Sequence, residues 1–392
     1  AAYAKIAYQT GFLKAHYPSA FIAASMSADM NNTDNVHLLF DDCRLNKIEL
    51  LPPDINQSEY KFISLNSSQI LFGLGAIKGT GLSAIEIILE ERNENGDFIS
   101  LFDFTCRLNL TKVNRKAIES LIRAGAFDMI EKNRSSLLAS VDLAIKVADQ
   151  ADRNIKQEGL FGESESKEIN LILKDSWDER TKFSQEKVAL GFYYSGHPFS
   201  HYRKMIREFI PNNLKALVPR PSSCLIAGII AAVKFKLTAR GKIAIVTLDD
   251  GEGRIDMFVG SKILNEYYEL IKEDKLIFVE GRVQLDEFTG GNSMLAAKIF
   301  ELITIQSSKA QLLRISLNNK SSAEDLKRLL KPYCNGSFGH EIKKCRVKVE
   351  YQNQEGKVEL LLGPEWEVAL HEDLISGLVE SFQDDNVKIL YN

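Results

Sequence analysis

The amino-acid sequence predicts a multidomain α+β protein: an all-α domain, then a β-barrel, then a small α+β domain. Three observations predict it. Apolar residues recur at helical spacing over most of the first 150 residues, between glycine-marked turns. Residues 224–302 instead read as three strands, a helix and two strands, separated by Asp-Gly and Gly-Gly turns. Between them, residues 151–187 are rich in Glu, Lys, Ser, Asp and Asn and nearly aperiodic, which predicts a mobile linker.

Composition sets the outer bounds. A chain of 392 residues suits about two to four domains. At 45% hydrophobic and 26% charged residues it is ordinary globular protein. A net charge of −4 excludes a uniformly basic nucleic-acid binder, so any DNA contact must come from local basic patches. The five cysteines form no Cys-x-x-Cys pair and no zinc spacing, a pattern expected of a reduced, cytoplasmic protein. No apolar run approaches the ~20 residues of a membrane span, and no metal or membrane partner is expected. There is no signal peptide, and the chain opens on Ala1-Ala2-Tyr3 without Met, as a piece of a longer protein would.

In chain order, residues 1–30 read as two helices broken at Pro18, the first with an apolar face of Tyr3, Ile6, Tyr8, Phe12 and Leu13. A helix from Val36 to Leu45 follows. Pro52-Pro53-Asp54-Ile55-Asn56 hints at a metal-binding carboxylate, but two-metal chemistry needs a second acid and position 56 is Asn, so it reads as a structural turn.

The stretch Ile70 to Ile88 contains Lys78-Gly79-Thr80-Gly81 just before an apolar helix of Ala84, Ile85, Ile87 and Ile88. Glycine takes positive φ and lacks Cβ, so this turn can be tight and expose its amides. The first N–H groups of the helix lack internal acceptors and form a natural phosphate site. Gly79-x-Gly81-x-x-Ala84 also matches a dinucleotide fingerprint, but no buried strand precedes it, and Glu90 to Gly96 is a charged loop. The remaining readings are a helix-hairpin-helix, whose hairpin grips a backbone phosphate, and a plain turn. A second copy favours the first of these. Ala84-Ile85-Glu86-x-Ile88 recurs as Ala117-Ile118-Glu119-x-Leu121, 33 residues later. There Lys112-Val113-Asn114 replaces the glycine turn; Asn tolerates the left-handed conformation, and Lys112, Arg115 and Lys116 offer charge to phosphates. Gly125 is expected to cap the second helix.

Within the linker, Gln157-Glu158-Gly159-Leu160-Phe161 places an apolar pair among charges. It reads either as a docking peptide or as an anchor tucked back onto the helical domain. His197, before Pro198 in a turn and without a Ser or Cys nucleophile motif, reads as structural. The strand order over 224–302 is that of an OB-fold barrel, which binds single strands through basic and aromatic side chains. Lys234, Phe235, Lys236, Arg240 and Lys242 crowd its first hairpin and Phe258 lies on its third strand; the competing reading is a solvated hairpin with core aromatics. Asp249-Asp250-Gly251 is ordinary turn chemistry. Residues 308–392 mix strands and helices without a chemical motif.

The order of these parts resembles the α subunit of the bacterial replicative DNA polymerase III family. The resemblance rests on Ala4-Lys5-Ile6-Ala7-Tyr8-Gln9-Thr10, Leu51-Pro52-Pro53-Asp54-Ile55-Asn56, Gly73-Leu74-Gly75-Ala76-Ile77-Lys78-Gly79, Ser195-Gly196-His197-Pro198 and Thr247-Leu248-Asp249-Asp250. It implies the end of a fingers domain at 1–64 and a tandem helix-hairpin-helix DNA-binding domain at 65–150. A linker with a sliding-clamp peptide at 151–215, an OB-fold at 216–307 and a domain for the τ subunit of the clamp loader at 308–392 follow. Gln157, Leu160 and Phe161 are then the clamp-binding residues. The family's polymerising aspartates, with their Mg2+, belong to an upstream palm domain that has no counterpart here; the N-terminal phosphoesterase-like domain is missing too. The expected protein is a non-catalytic C-terminal fragment, inactive alone and without a cofactor. It binds duplex and single-stranded DNA and tethers the polymerase to clamp and clamp loader. The alternatives are a stand-alone DNA-repair scaffold with the same modules and a nucleotide-binding enzyme using Gly79 and Gly81.

Overall fold

The structure is a computed structural model and describes residues 2–157, 170–239, 241–286, 290–317, 322–335, 343–352, 356–383 and 386–391. The chain divides into two compact units, Ala1–His197 and Pro198–Asn392.

The first unit opens with α1 (Ala2–His16), α2 (Pro18–Ala28) and α3 (Thr33–Leu45). Pro18 begins α2, where its missing N–H and fixed φ cost nothing. Every residue of α1 is solvent-exposed, so the apolar face read from Tyr3, Ile6 and Tyr8 is uncovered. A small sheet of β1 (Glu49–Leu51), β2 (Ile63–Asn66) and β3 (Gln69–Leu71), in the order β1-β3-β2, precedes the hairpins. Strands of three and four residues are too short to show alternation, which is why periodicity missed them. Then come α4 (Leu82–Asn95), α5 (Leu101–Arg107), α6 (Arg115–Ala124), α7 (Arg134–Gln157) and α8 (Glu179–Leu190). One core joins them, with Phe72, Phe98, Phe104, Phe127 and Phe192 fully buried.

Asn56 is structural, as the turn reading expects. Its side chain accepts from the Phe98 N–H at 2.9 Å and donates to the Phe98 carbonyl at 2.9 Å, pinning the chain between α4 and α5. Among the described residues no cluster of three or more His, Cys, Asp or Glu converges on a metal position. No described helix is long and apolar enough to cross a membrane.

The mobile-linker expectation for 151–187 needs correction at both ends. Helix α7 continues to Gln157. Residues 170–178 are docked: Ser140 Oγ accepts the Ile172 N–H at 2.8 Å and Ser136 Oγ accepts the Lys174 N–H at 2.9 Å. Helix α8 then buries Phe183, Glu186, Ala189 and Leu190. The reason is polar and local, and apolar periodicity does not register it. Arg134, 7% exposed, bonds Asp128 Oδ1 at 2.7 Å through Nε and Glu186 Oε1 at 3.1 Å through Nη1. Glu186, fully buried, accepts the Ser195 N–H at 2.9 Å and its Oγ–H at 2.8 Å. Burial opposes the Arg134 charge, but the Asp128 and Glu186 contacts outweigh it and hold the guanidinium above its ordinary pKa. Gly125 caps α6 with φ +90°, as expected, and a Cβ there would sit 2.3 Å from Arg134 Nη2.

The second unit starts with α9 (Ser200–Arg207). Next are β4 (Cys224–Thr238), β5 (Gly241–Asp249), β6 (Arg254–Val259), α10 (Ser261–Glu266), β7 (Leu276–Leu285) and β8 (Asn292–Phe300). The five strands close into a barrel in the order β4-β5-β6-β8-β7, with β7 returning to β4. Asp250 is satisfied within its turn, accepting the Glu252 and Gly253 N–H groups and that of Leu214, so the turn reading of this pair holds. Asn213 first, then Arg203 and Arg207, hold the Glu252 carboxyl below its usual range and fasten α9 to the barrel. Helix α11 (Leu302–Lys309) follows, where alternation alone extends β8. The last domain contains β9 (Ala310–Leu317), α12 (Ala323–Asn335), β10 (Lys344–Gln352), β11 (Lys357–Leu361), β12 (Val368–Ala369), α13 (Glu372–Phe382) and β13 (Val387–Tyr391). Its sheet runs β11-β10-β9-β13, with β12 beside β10. Helices α12 and α13 share one core with the Leu313, Ile315, Val347 and Val349 face.

Removing the Glu186 carboxylate leaves Arg134 only the more exposed Asp128 carboxylate and leaves the Ser195 donors unmet, and loss of one partner from a buried charged network costs about 3–5 kcal/mol. Glu186→Ala should destabilise the first unit by that amount and leave the second unchanged. Hydrogen exchange resolved by unit checks this.

Candidate nucleic-acid interface

The first hairpin lies between a single 3-10 turn, Leu74–Ala76, and α4, so its leading arm is shorter than a full helix. Gly79 has φ +88°, in the region that favours glycine. Gly81 does not: it is the N-cap of α4 at φ −84° and ψ 158°, and a Cβ there would meet nothing within 4 Å. The tight turn expected of both glycines therefore belongs to Gly79 alone. Thr80 holds the turn internally, its hydroxyl donating to the Ile77 carbonyl at 2.6 Å and its N–H to the same oxygen at 3.3 Å. Gly81 brings no capping side chain, so the Leu82 and Ser83 amides open the helix toward solvent. Lys78 donates its N–H to Ala189 at 2.7 Å and is itself exposed.

The second hairpin uses different chemistry. Asn114 is an N-cap at φ −74° whose side chain accepts the Ala117 N–H at 3.0 Å, so it is not left-handed as proposed from sequence. Asn109 shapes the turn instead: its carbonyl accepts the Lys112 and Val113 amides and its side chain the Thr111 N–H at 3.0 Å. The repeat is visible in burial: Ala84, Ile85 and Ile88 of α4 match Ala117, Ile118 and Leu121 of α6.

The two hairpins meet. Lys116 Cε lies 3.5 Å, and Ser120 Oγ 3.1 Å, from where a Cβ on Gly79 would stand. An exposed lysine of the second copy thus borders the glycine turn of the first. Lys112 and Asn114 are exposed beside it. Arg115 is committed elsewhere, bonding Glu119 at 2.7 Å and Asp142 at 2.8 Å; the Glu119 hydrogen bond, then the Asp142 charge, raise its pKa.

In the barrel, the structure separates residues that the sequence groups together. A register shift between Ile230 and Ala232 on β4 changes which residues face outward. Phe235 pairs with Ala244, a core residue, whereas Lys234 pairs with Ile245 and Ile245 with Phe258. Residues directly opposite share a face. Lys234 and Lys236 are therefore on the Phe258 side, and Phe235 and Lys242 on the other. Lys242 Nζ sits 4.1 Å from the Phe235 ring centre and 5.6 Å from that of Tyr268. The outward row continues through Phe258 to Leu295 on β8 and Arg282 on β7. It crosses all five strands as Lys234, Ile245, Phe258, Leu295 and Arg282, a cation at each end and apolar side chains between. Ile245, Leu295 and Arg282 were missed because only the register reveals them. Arg240 lies outside the described residues, as do Leu160 and Phe161; Gln157 is the last residue of α7.

Holding a residue with Cβ at positive φ costs about 1–3 kcal/mol. Gly79→Ala should lower the stability of the first unit by about that amount, while Gly81→Ala, with ordinary φ and open space, should cost under about 1 kcal/mol. Chemical denaturation of the two variants side by side checks the difference.

Three family models match parts of this chain. Residues 47–137 match a family model described as a helix-hairpin-helix motif, and residues 224–302 one described as an OB-fold nucleic acid binding domain. Residues 325–381 match the model for the C-terminal domain of DNA polymerase III subunit alpha. The chain is 38% identical over 396 residues to the DNA polymerase III subunit alpha of Neisseria meningitidis serogroup A, covering 99% of this chain and 34% of that protein. It is 35% identical over 406 residues to that of Escherichia coli K12, covering 100% of this chain and 34% of that protein. Among solved structures, the SSB domain of a Synechococcus protein aligns over 22% of this chain and 100% of its own, at 13% identity and a TM-score of 0.19. The chain spans about a third of the length of the curated relatives it matches. It belongs to the DNA polymerase III subunit alpha family and corresponds to a C-terminal part of it.

Proposed function

We propose that this chain is the DNA-positioning and tethering part of a replicative DNA-directed DNA polymerase, working in the cytoplasm and contributing binding rather than chemistry. The observation that carries the reading is the meeting of the two hairpins. The open N-terminus of α4 and Lys116 from the second repeat border one turn at Gly79. Backbone amides and an exposed ammonium together suit a phosphate, and phosphate contacts hold a duplex without reading its sequence. Lys78, Lys112 and Lys116 supply the exposed charge, Gly79 and Gly81 the close approach, and Thr80 and Asn114 hold the two turns. Arg115 takes a smaller part, since Glu119 and Asp142 already engage it. On the barrel, single-stranded template crosses the outward row, with bases on Phe258 and the backbone drawn by Lys234, Lys236 and Arg282. Phe235 and Lys242 form a second, separate contact on the first hairpin, and Arg240 adds its charge to the single-strand site.

Two protein contacts complete the reading. Gln157, Leu160 and Phe161 dock in an apolar pocket of the sliding clamp, and the C-terminal α+β domain meets the τ subunit of the clamp loader. The support for both is the family membership; the peptide begins at Gln157, the last residue of α7.

Lys112→Ala with Lys116→Ala should weaken duplex binding equally for any sequence and lower the slope of log affinity against log salt by roughly one unit per lost phosphate contact. Fluorescence anisotropy with two unrelated duplexes over a salt series decides it; unchanged affinity and slope with an intact fold reject the duplex site. Leu160→Ala with Phe161→Ala should abolish binding to purified clamp with little change in melting temperature. A clear loss of stability would place that pair in this chain's own core instead.

A further inference from the structure

We infer that the face of the C-terminal sheet turned away from α12 and α13 is the docking surface for the clamp-loader subunit, and that the partner presents an acidic segment studded with apolar residues. The register places the face. Leu313, Ile315, Val347 and Val349 point into the core under the helices, so their neighbours point the other way. Arg314 then stands between Lys348 on β10 and Lys388 on β13, three cations abreast on adjacent strands. Like charges directly opposite destabilise a sheet, so this row is costly to the domain alone.

The carboxylates on this face do not balance it. Glu350 engages Arg314 at 3.6 Å and Lys357 at 3.1 Å, and Glu359 engages Lys348 at 2.5 Å and Lys357 at 3.4 Å. That is two acids against five cations: Arg314, Arg346, Lys348, Lys357 and Lys388. Arg346 and Lys388 are exposed and have no carboxylate partner among the described residues. The surplus of three positive charges lies on a chain whose net charge is −4.

Apolar side chains border the row. Leu312 pairs with Arg346 on one side and Leu390 on the other, and Leu361 lies beside Lys348. Leu390 is 39% and Leu361 56% exposed. Among the described residues, none of the cations in this row or the leucines that border it has an aromatic neighbour directly opposite it in the sheet to serve as a stacking platform, which disfavours single-stranded DNA. Cations interleaved with leucines fit an acidic, partly apolar protein segment better than a uniform phosphate backbone. Charge complementarity of this kind speeds and orders docking.

The inference rests on the reading of this domain as the clamp-loader contact, and the test separates the two. Surface plasmon resonance would measure the full chain against purified τ subunit across a salt series. Arg346→Glu with Lys388→Glu should weaken binding at least tenfold and flatten its salt dependence. Lys327→Glu with Lys331→Glu, on α12, should leave both unchanged. Wild-type binding that the first double variant retains overturns the docking face and spares the clamp-loader contact. No wild-type binding overturns both. A loss of duplex affinity by Arg346→Glu with Lys388→Glu, with τ binding intact, would assign the row to phosphates and equally overturn the inference.

Discussion

The first unit depends on one buried charge, the Arg134 guanidinium. It reaches Asp128 just past the α6 cap, the Arg123 carbonyl within α6, and Glu186 on α8. Glu186 passes the connection on to Ser195. One side chain therefore fixes the end of the second hairpin helix, the start of α7 and the packing of α8. The glycine at 125 is part of the same device, because any Cβ would occupy the guanidinium's place. Replacing such a network by apolar residues is often tolerable for stability alone. In this chain the network holds the end of α6, the helix that carries Lys116 beside Gly79.

Much of this was legible in the sequence because its signals are local. Pro18, Gly125 and the Asp-Asp-Gly turn each follow from backbone chemistry at one position, and the barrel strands from alternation between turns. The repeat was legible because α4 and α6 bury the same three positions. Two kinds of feature were not. Segment 170–187 looked like linker because its anchors are polar: serine hydroxyls on backbone amides and a buried glutamate, none of which contributes to apolar periodicity. The faces of the barrel were hidden by a register shift in β4, since a one-residue shift moves every later side chain to the other face. Phe235 and Phe258 therefore read as partners although the sheet separates them. At the second hairpin the error was one of role: Asn114 was read for its tolerance of positive φ, whereas it caps a helix.

The charge distribution explains how a chain of net −4 offers cationic surfaces. Acids are not excluded from these surfaces; they are used to hold particular cations in place. Arg115 is drawn to Glu119 and Asp142, while Lys112 and Lys116 remain exposed nearby. On the C-terminal sheet Glu350 and Glu359 offset part of the positive charge, while Arg346 and Lys388 stay exposed. Lys242 is held over two aromatic rings instead of a carboxylate. Exposed ion pairs contribute little to stability, so their main effect here is on which cations remain available to a ligand.

That availability sets what kind of binder the proposed parts make. A glycine turn with two or three lysines, a barrel row with one well-placed aromatic, and a short apolar peptide are each modest contacts. Salt weakens the first strongly, and ordering costs reduce the last. Joined in one polypeptide, they act at high effective concentration on one another's targets, so that loss of one contact is followed by rebinding before the others release. On the proposed reading, retention comes from the number of contacts joined in one chain. A surface that reads backbone and not base, as the paired hairpins would, is what movement along DNA requires.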